Sequence, residues 1–240
     1  MSIIAFINQK GGVGKSLLSF NIGVILASQN KKVLFVDLDA QSTLTDFAIP
    51  NEEYNLTLFD LLKRKNIKVQ DVIVHTEKYD IIPVNIEVAN PGLKIEKDTL
   101  DRILDPIKGD YDYIVIDCPP NLSMINISAL YAADRIISVV KPDIVSTRGL
   151  NLLENTINNE VPGKSIDAVI VNQYRKRKIS DLTIQIIKQD FPLLDSIVRD
   201  TSALSESASV SQAIIDYSPN SPGSKDIQDV TDELLNKGIL

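Results

Sequence analysis

The stretch Ile7-Asn8-Gln9-Lys10-Gly11-Gly12-Val13-Gly14-Lys15-Ser16, with LLSFNIGVILA (17–27) behind it, decides the fold. A short apolar run, residues 3–7, leads into it, and a helical pattern over 15–29 follows. Strand, Gly-rich loop and helix in that order form the setting in which such a loop cradles phosphate. Glycines let the backbone turn so that successive N–H groups point inward at phosphate oxygens. The helix beginning near Gly14 adds the positive end of its dipole. Lys15 is placed to bring its ammonium near the β- and γ-phosphates, and Ser16 to offer a hydroxyl to Mg²⁺. The common motif has glycine five residues before Gly14. Here Gln9 stands there, followed by Lys10, so the loop is the deviant form KGGVGKS.

Outward from the loop, short runs rich in Ile and Val recur at 33–36, 79–82, 113–116, 135–140 and 166–171, and weakly at 196–198. Near-continuous apolar runs suit strands covered on both faces. Between them lie helical patterns at 57–65, 97–107, 123–132, 146–158, 180–190, 202–215 and 224–236. The alternation predicts an α/β protein with a doubly wound, mostly parallel sheet and helices on both faces. Irregular segments are expected at 49–56, 83–96, 173–179 and 216–224, none long enough to be a domain linker. Residues 1–240 are read as one domain, with no DNA-binding domain ahead of the phosphate loop.

Two predicted strands end in acid. Residues 33–36 run into Asp37-Leu38-Asp39, and 113–116 into Asp117-Cys118-Pro119-Pro120. Ligands of open parallel sheets sit at the carboxyl ends of strands, so all three carboxylates should fall beside the phosphate loop. Asp117 suits a water-mediated contact to Mg²⁺. Asp39 suits orienting the attacking water, or the metal.

Composition narrows the classes. A net charge of −7 argues against a protein that coats nucleic acid with its whole surface, though not against a local basic patch. One cysteine, Cys118, allows no intrachain disulfide and no cysteine cluster for zinc or iron–sulfur. It reads as a small buried residue. His75, the single histidine, receives no catalytic role. The N-terminus lacks a basic n-region, and no apolar run approaches the roughly 18 residues of a membrane span.

The whole chain resembles the ParA (Soj) family of DNA-partitioning ATPases within the MinD/ParA group. The stretches that carry the likeness are INQKGGVGKSLLSFNIGVILA (7–27), VLFVDLDAQST (33–43), IIPVNIEVA (81–89), YDYIVIDCPPNLSMINISALYAADRII (111–137), VNQY (171–174) and the tail 203–227. The resemblance implies a slow ATPase that uses ATP and Mg²⁺. It implies a sandwich homodimer that binds DNA without sequence preference, and a centromere-binding ParB-type adaptor that stimulates hydrolysis. It implies a cytoplasmic, nucleoid-associated protein with no membrane partner. Lys10 matches the signature lysine that reaches the partner's nucleotide. Gly11, Gly12, Val13, Gly14, Lys15 and Ser16 match the phosphate loop, Asp39 the aspartate needed for hydrolysis, Asp117 the Walker B aspartate and Asn172 the asparagine at the adenine edge. An amide there can donate and accept at once.

The chain departs from the pattern at two places. Leu17 replaces the usual threonine, so its backbone N–H alone serves the α-phosphate. Val198-Arg199 replaces a common Ile-Pro pair beside the adenine. For DNA, the densest basic run is Arg175-Lys176-Arg177-Lys178, with Lys188 and Arg199 as further candidates and Arg148 as a weaker one. Alone, four such charges read as a solvated loop; the resemblance makes them candidate phosphate contacts. The rival reading, a MinD-like membrane-positioning ATPase, needs a basic amphipathic C-terminal helix. The tail from Lys225 has an apolar stripe at Ile227, Val230 and Leu234, but its polar face is acidic.

Overall fold

The computed structural model describes residues 1–50, 52–64 and 66–240. Eight strands form one sheet: β1 (Ser2–Ile7), β2 (Val33–Asp37), β3 (Val74–His75), β4 (Asp80–Ile82), β5 (Tyr113–Asp117), β6 (Arg135–Val140), β7 (Ala168–Tyr174) and β8 (Leu193–Arg199). Their order is β3-β4-β2-β5-β1-β6-β7-β8. All neighbours are parallel except β3, which joins β4 as an antiparallel edge.

The sheet sorts its side chains by the two-residue period of a strand. Ile3, Ala5 and Ile7 of β1 enter one core layer, and Ile4 and Phe6 enter the other. The first layer is covered by α4 (Thr99–Leu104), α5 (Met124–Ala132), α6 (Ile144–Glu160) and α7 (Lys178–Asp190), which bury Leu100, Ala129, Leu150 and Ile187 among others. The second is covered by α1 (Lys15–Ser28), α2 (Thr43–Ala48), α8 (Ser202–Ser209), α9 (Ile214–Tyr217) and α10 (Pro222–Asn236). A short helix, α3 (Leu58–Lys63), contributes Leu58 to the first layer. Helices on both faces explain why the central strands carry hardly a polar residue.

Helix α1 is apolar almost all round because it lies between the sheet, α2 and α10. Its Gly23 sits against Phe35 of β2: a Cβ there would lie 2.3 Å from the ring. That ring is fully buried and packs with Phe20 and Tyr79, so it has nowhere to go.

Several expected boundaries move. The pattern at 202–215 splits into α8 and α9, because Ser211 adopts a left-handed φ of 52° and Gln212 N–H turns back to the Ser207 carbonyl at 3.0 Å. Helix α2 was not anticipated; it is anchored through Thr45, described below. Within the segment expected to be irregular at 83–96, a 3₁₀ turn forms at Ile86–Ala89, with the Asn85 side chain accepting from Glu87 N–H. The segment 216–224 is shortened by α10, which starts at Pro222 with Ser221 as N-cap. Asn51 and Lys65, within the segments read as 49–56 and 57–65, lie outside the described residues.

Helix α10 ties down the edge strand β8. Glu233 accepts from Asp195 N–H (2.9 Å) and Ser196 N–H (2.7 Å). Its stripe, Ile227, Val230 and Leu234, is fully buried.

Replacing Gly23 with alanine should destabilise the protein by about 1 kcal/mol or more, overpacking against Phe35 exceeding the helix-propensity gain. Urea unfolding followed by circular dichroism measures it; an unchanged midpoint would show that Phe35 can yield.

Candidate functional site

The parallel sheet brings the ends of β1, β2, β5, β6 and β7 to one edge, and each contributes to a single constellation. Gly12 and Gly14 hold φ of 70° and 91° in the loop after β1, the left-handed region that glycine enters without strain. Gly14 is required twice over, since a Cβ there would lie 2.2 Å from Nδ2 of Asn172 on β7. That Nδ2 donates to the Val13 carbonyl at 2.8 Å. Gln173, with φ of 55°, donates to the Gly12 carbonyl at 3.3 Å. Asn8 braces the other side, accepting from Lys10 N–H at 2.8 Å and donating to the Val139 carbonyl of β6. The loop is therefore held open by the neighbouring strands, with Lys15 only 6% exposed beneath it.

Ser16, at the start of α1, donates its hydroxyl to Oδ2 of Asp117. The other oxygen, Asp117 Oδ1, is buried and has no hydrogen-bond partner. A hydroxyl and a carboxylate with an unused buried lone pair are a donor set suited to a hard cation that keeps much of its water. Among the described residues no three acidic, histidine or cysteine side chains converge on one point. Any divalent ion held here would therefore take its remaining ligands from phosphate and water.

Asp37 and Asp117 are register partners on adjacent strands and both are fully buried. Asp37 spends both its oxygens within the fold. It accepts from Thr45 N–H and Thr45 Oγ1, both at 2.8 Å, and from Asp39 N–H at 3.0 Å, and so anchors α2 and the turn between. Thr45 was missed because its role exists only once this turn closes. Burial pushes the Asp37 carboxyl up to about 7 against those hydrogen bonds. Burial, then the charge of Asp37, pushes Asp117 up to about 8, opposed by Ser16 and Lys15. Asp39 is half-buried in the same turn, its Oδ1 accepting from Gln41 N–H at 3.0 Å. Cys118 is sealed in the core, and burial pushes its thiol up, so it supplies no thiolate.

Lys10 turns out to the side. Its ammonium donates to Oδ2 of Asp143, the N-cap of α6. Nothing in the sequence pattern flagged Asp143, which lies 133 residues away.

A family model described as an AAA domain matches residues 1–167. The sporulation initiation inhibitor protein Soj of Bacillus subtilis is 33% identical over 98% of this chain and 99% of its own length. The chain belongs to the Soj/ParA family. It is thus a P-loop ATPase of the partition type. The chromosome partitioning protein ParA of Caulobacter vibrioides is 28% identical over 99% of this chain and 95% of its own. Among solved structures, the septum site-determining protein MinD of Pyrococcus horikoshii, complexed with Mg-ADP, superposes with a TM-score of 0.83. It is 26% identical and covers 100% of this chain and 98% of that one.

Two further groups of candidates in this Soj/ParA chain sit as follows. Leu17, Asn172 and Arg199 line a cleft of about 290 Å³ beside Gly12 and Gly14, together with Thr201, Leu204 and Ala208. Asn172 is less free than expected, because one amide hydrogen is committed to Val13. Arg199 is clamped by Asp226, with Nε–Oδ2 at 2.8 Å and a terminal nitrogen on Oδ1 at 2.6 Å.

The basic run divides. Arg175 is paired with Asp200 at 2.6 Å. Lys188 is paired with Asp195 at 2.6 Å and lies ten residues beyond Lys178, about 15 Å along α7, so it does not join the cluster. Lys176, Arg177 and Lys178 are exposed and meet no carboxylate among the described residues. Lys178 opens α7 instead of lying in a loop. No helix among the described residues is long and apolar enough to cross a membrane.

Both carboxyls of the Asp37–Asp117 pair sit above their ordinary value of 3.8. The folded chain therefore holds extra protons from about pH 4 to 8, and stability falls as pH rises through that window. Asp117→Asn should make the nucleotide-free protein more stable than the wild type at about pH 8, with the gap closing toward about pH 4. Parallel pH profiles for the two proteins in urea unfolding would remove the pair as the cause.

Proposed function

We propose that this chain is a DNA-segregation switch that closes as a homodimer on ATP and Mg²⁺, holds nonspecific DNA, and lets go when a centromere-binding ParB-type adaptor stimulates hydrolysis. The observation that carries the reading is the setting of Lys10. It stands on the loop at a sheet edge that also carries uncovered apolar residues: Ile86 is 76% exposed, Ile144 65%, Val145 61% and Met124 44%. These follow β4, β5 and β6, so they lie on the same edge of the sheet as the phosphate loop, which follows β1. A second copy facing this edge would cover them and receive Lys10 at its own nucleotide.

The roles follow from placement. Backbone N–H groups of residues 11–16 cradle the β- and γ-phosphates, and Leu17 N–H serves the α-phosphate. Lys15, held beneath the loop, supplies a fixed positive charge. Ser16 and Asp117 would hold Mg²⁺, with the half-buried Asp39 beside them. Mg²⁺, when bound, neutralises charge on the β- and γ-phosphate oxygens. Asp39 orients the water that attacks the γ-phosphorus, giving ADP and inorganic phosphate. Asn172 and Arg199 border the base, Asn172 keeping one amide hydrogen and its oxygen for the adenine edge. Lys10 favours the closed dimer only while γ-phosphate is present, which makes hydrolysis the release step.

Lys176, Arg177 and Lys178 are the DNA contacts this reading favours, since Arg175, Lys188 and Arg199 spend their charge on carboxylates within the chain. Uncommitted cations on an acidic protein give local, salt-sensitive affinity for phosphate backbones. Nucleoid association would follow. The MinD-like alternative finds less support, because α10 commits its apolar stripe to the core and presents acid outward.

Three expectations test the switch. Lys15→Ala should lose ATP binding by about a hundredfold or more. Asp39→Ala should bind ATP and dimerise without turnover, whereas Lys10→Ala should bind ATP and stay monomeric by sedimentation equilibrium. Full turnover by Asp39→Ala, or dimers of Lys10→Ala, would break the assignment. For DNA, the double variant Lys176→Glu, Arg177→Glu should lose about tenfold in ATP-dependent DNA retention and lower the salt slope by about two. Offering DNA and anionic liposomes side by side, with ATP and with ADP, separates partition from membrane placement.

A further inference from the structure

Asp143 sits where β6 hands over to α6, and its two oxygens do different work. Oδ1 accepts from Ser146 N–H at 3.1 Å and Ser146 Oγ at 3.0 Å, capping the helix. Oδ2 takes the ammonium of Lys10. The reach of Lys10 is prepared from below. Asn8 Oδ1 holds Lys10 N–H, and the Asn8 amide is fastened to Val139 at the end of β6, two residues before the turn that carries Asp143 begins. Loop and helix end are thus fixed to a common strand, and the lysine has a carboxylate waiting in its own chain. Partial burial pushes the Asp143 carboxyl up, but its bonds to Lys10 and Ser146 outweigh that and hold it below the usual carboxylate value, so it stays charged.

We propose that Asp143 is a positioning residue that parks Lys10 in its own protomer until the nucleotide of a second copy draws it away. The proposal rests on the dimer reading above. Its physical logic is competition. The Lys10 and Asp143 side chains are 35% and 41% exposed, so their pair is solvent-screened and weak. A partner's triphosphate carries more charge than one carboxylate and can take the lysine over, whereas a diphosphate lacks the terminal group and leaves Asp143 the stronger rival. Parking therefore raises the threshold for dimerisation, because every dimer that takes up Lys10 must first give up two such pairs, and only the triphosphate recovers that cost.

Asp143→Asn is the decisive variant, since asparagine caps a helix as well as aspartate does while removing the charge. Each lost pair should shift the balance by about two- to fivefold. Two per dimer should tighten the ATP-state dimer dissociation constant by about four- to twenty-five-fold, and raise the dimer fraction in ADP, in sedimentation equilibrium. The double variant Lys10→Ala, Asp143→Asn should be no more dimeric than Lys10→Ala alone. Unchanged or weaker dimerisation by Asp143→Asn overturns the proposal, as does tightening that survives in the Lys10→Ala background. Wild-type protein that stays monomeric in ATP overturns the dimer reading and the parking role together. Wild-type dimers with an unaffected Asp143→Asn overturn the parking role alone.

Discussion

Parallel pairing of β5 with both β1 and β2 sets Asp37 and Asp117 side by side, register partners, at the buried end of the sheet. Two carboxyls in that position cannot both carry charge cheaply without a cation nearby. The chain answers with different partners for each. Asp37 is satisfied inside the fold by Thr45 and the Asp39 backbone, whereas Asp117 takes only Ser16 and keeps one oxygen unpaired. One carboxylate therefore builds the turn that carries Asp39, and the other is left as an available ligand. The same register thus shapes the scaffold and leaves a demand that a bound metal and nucleotide would meet.

The phosphate loop depends on its neighbours as much as on its glycines. Asn172 and Gln173 hold the carbonyls of Val13 and Gly12, and Asn8 holds the Lys10 amide. A loop with left-handed residues is costly to order on demand, and bracing it before ligand arrives removes that cost from binding. The brace comes from β6 and β7, the strands on the far side of β1 from the acidic pair. The site is therefore assembled across five neighbouring strands, which ties its shape to the integrity of the sheet.

Electrostatics divide the surface in an ordered way. An acidic chain can still present positive charge where its own carboxylates do not reach. Lys176, Arg177 and Lys178 are such a place, whereas Arg175, Lys188 and Arg199 are spent on Asp200, Asp195 and Asp226. Arg175 and Lys176 are adjacent in sequence and alike in charge, and only the position of a carboxylate, Asp200, separates the spent cation from the free one.

The sequence alone was enough for the loop, the strand-end aspartates and the parallel α/β plan. Each rests on local rules: glycine at forced turns, β-branched runs under two covering layers, acid at strand ends. The motif KGGVGKS already distinguished Lys10 from Lys15. What the sequence could not supply was pairing over distance. Thr45 under Asp37, Val13 on Asn172, Asp143 on Lys10 and Asp226 on Arg199 join residues from 8 to 159 positions apart. Asp and Thr at such positions look like ordinary caps and surface residues until the chain closes. Their meaning came from tertiary structure because a hydrogen bond or ion pair depends on where two side chains meet in space, and the local period of a helix or strand carries no information about that meeting.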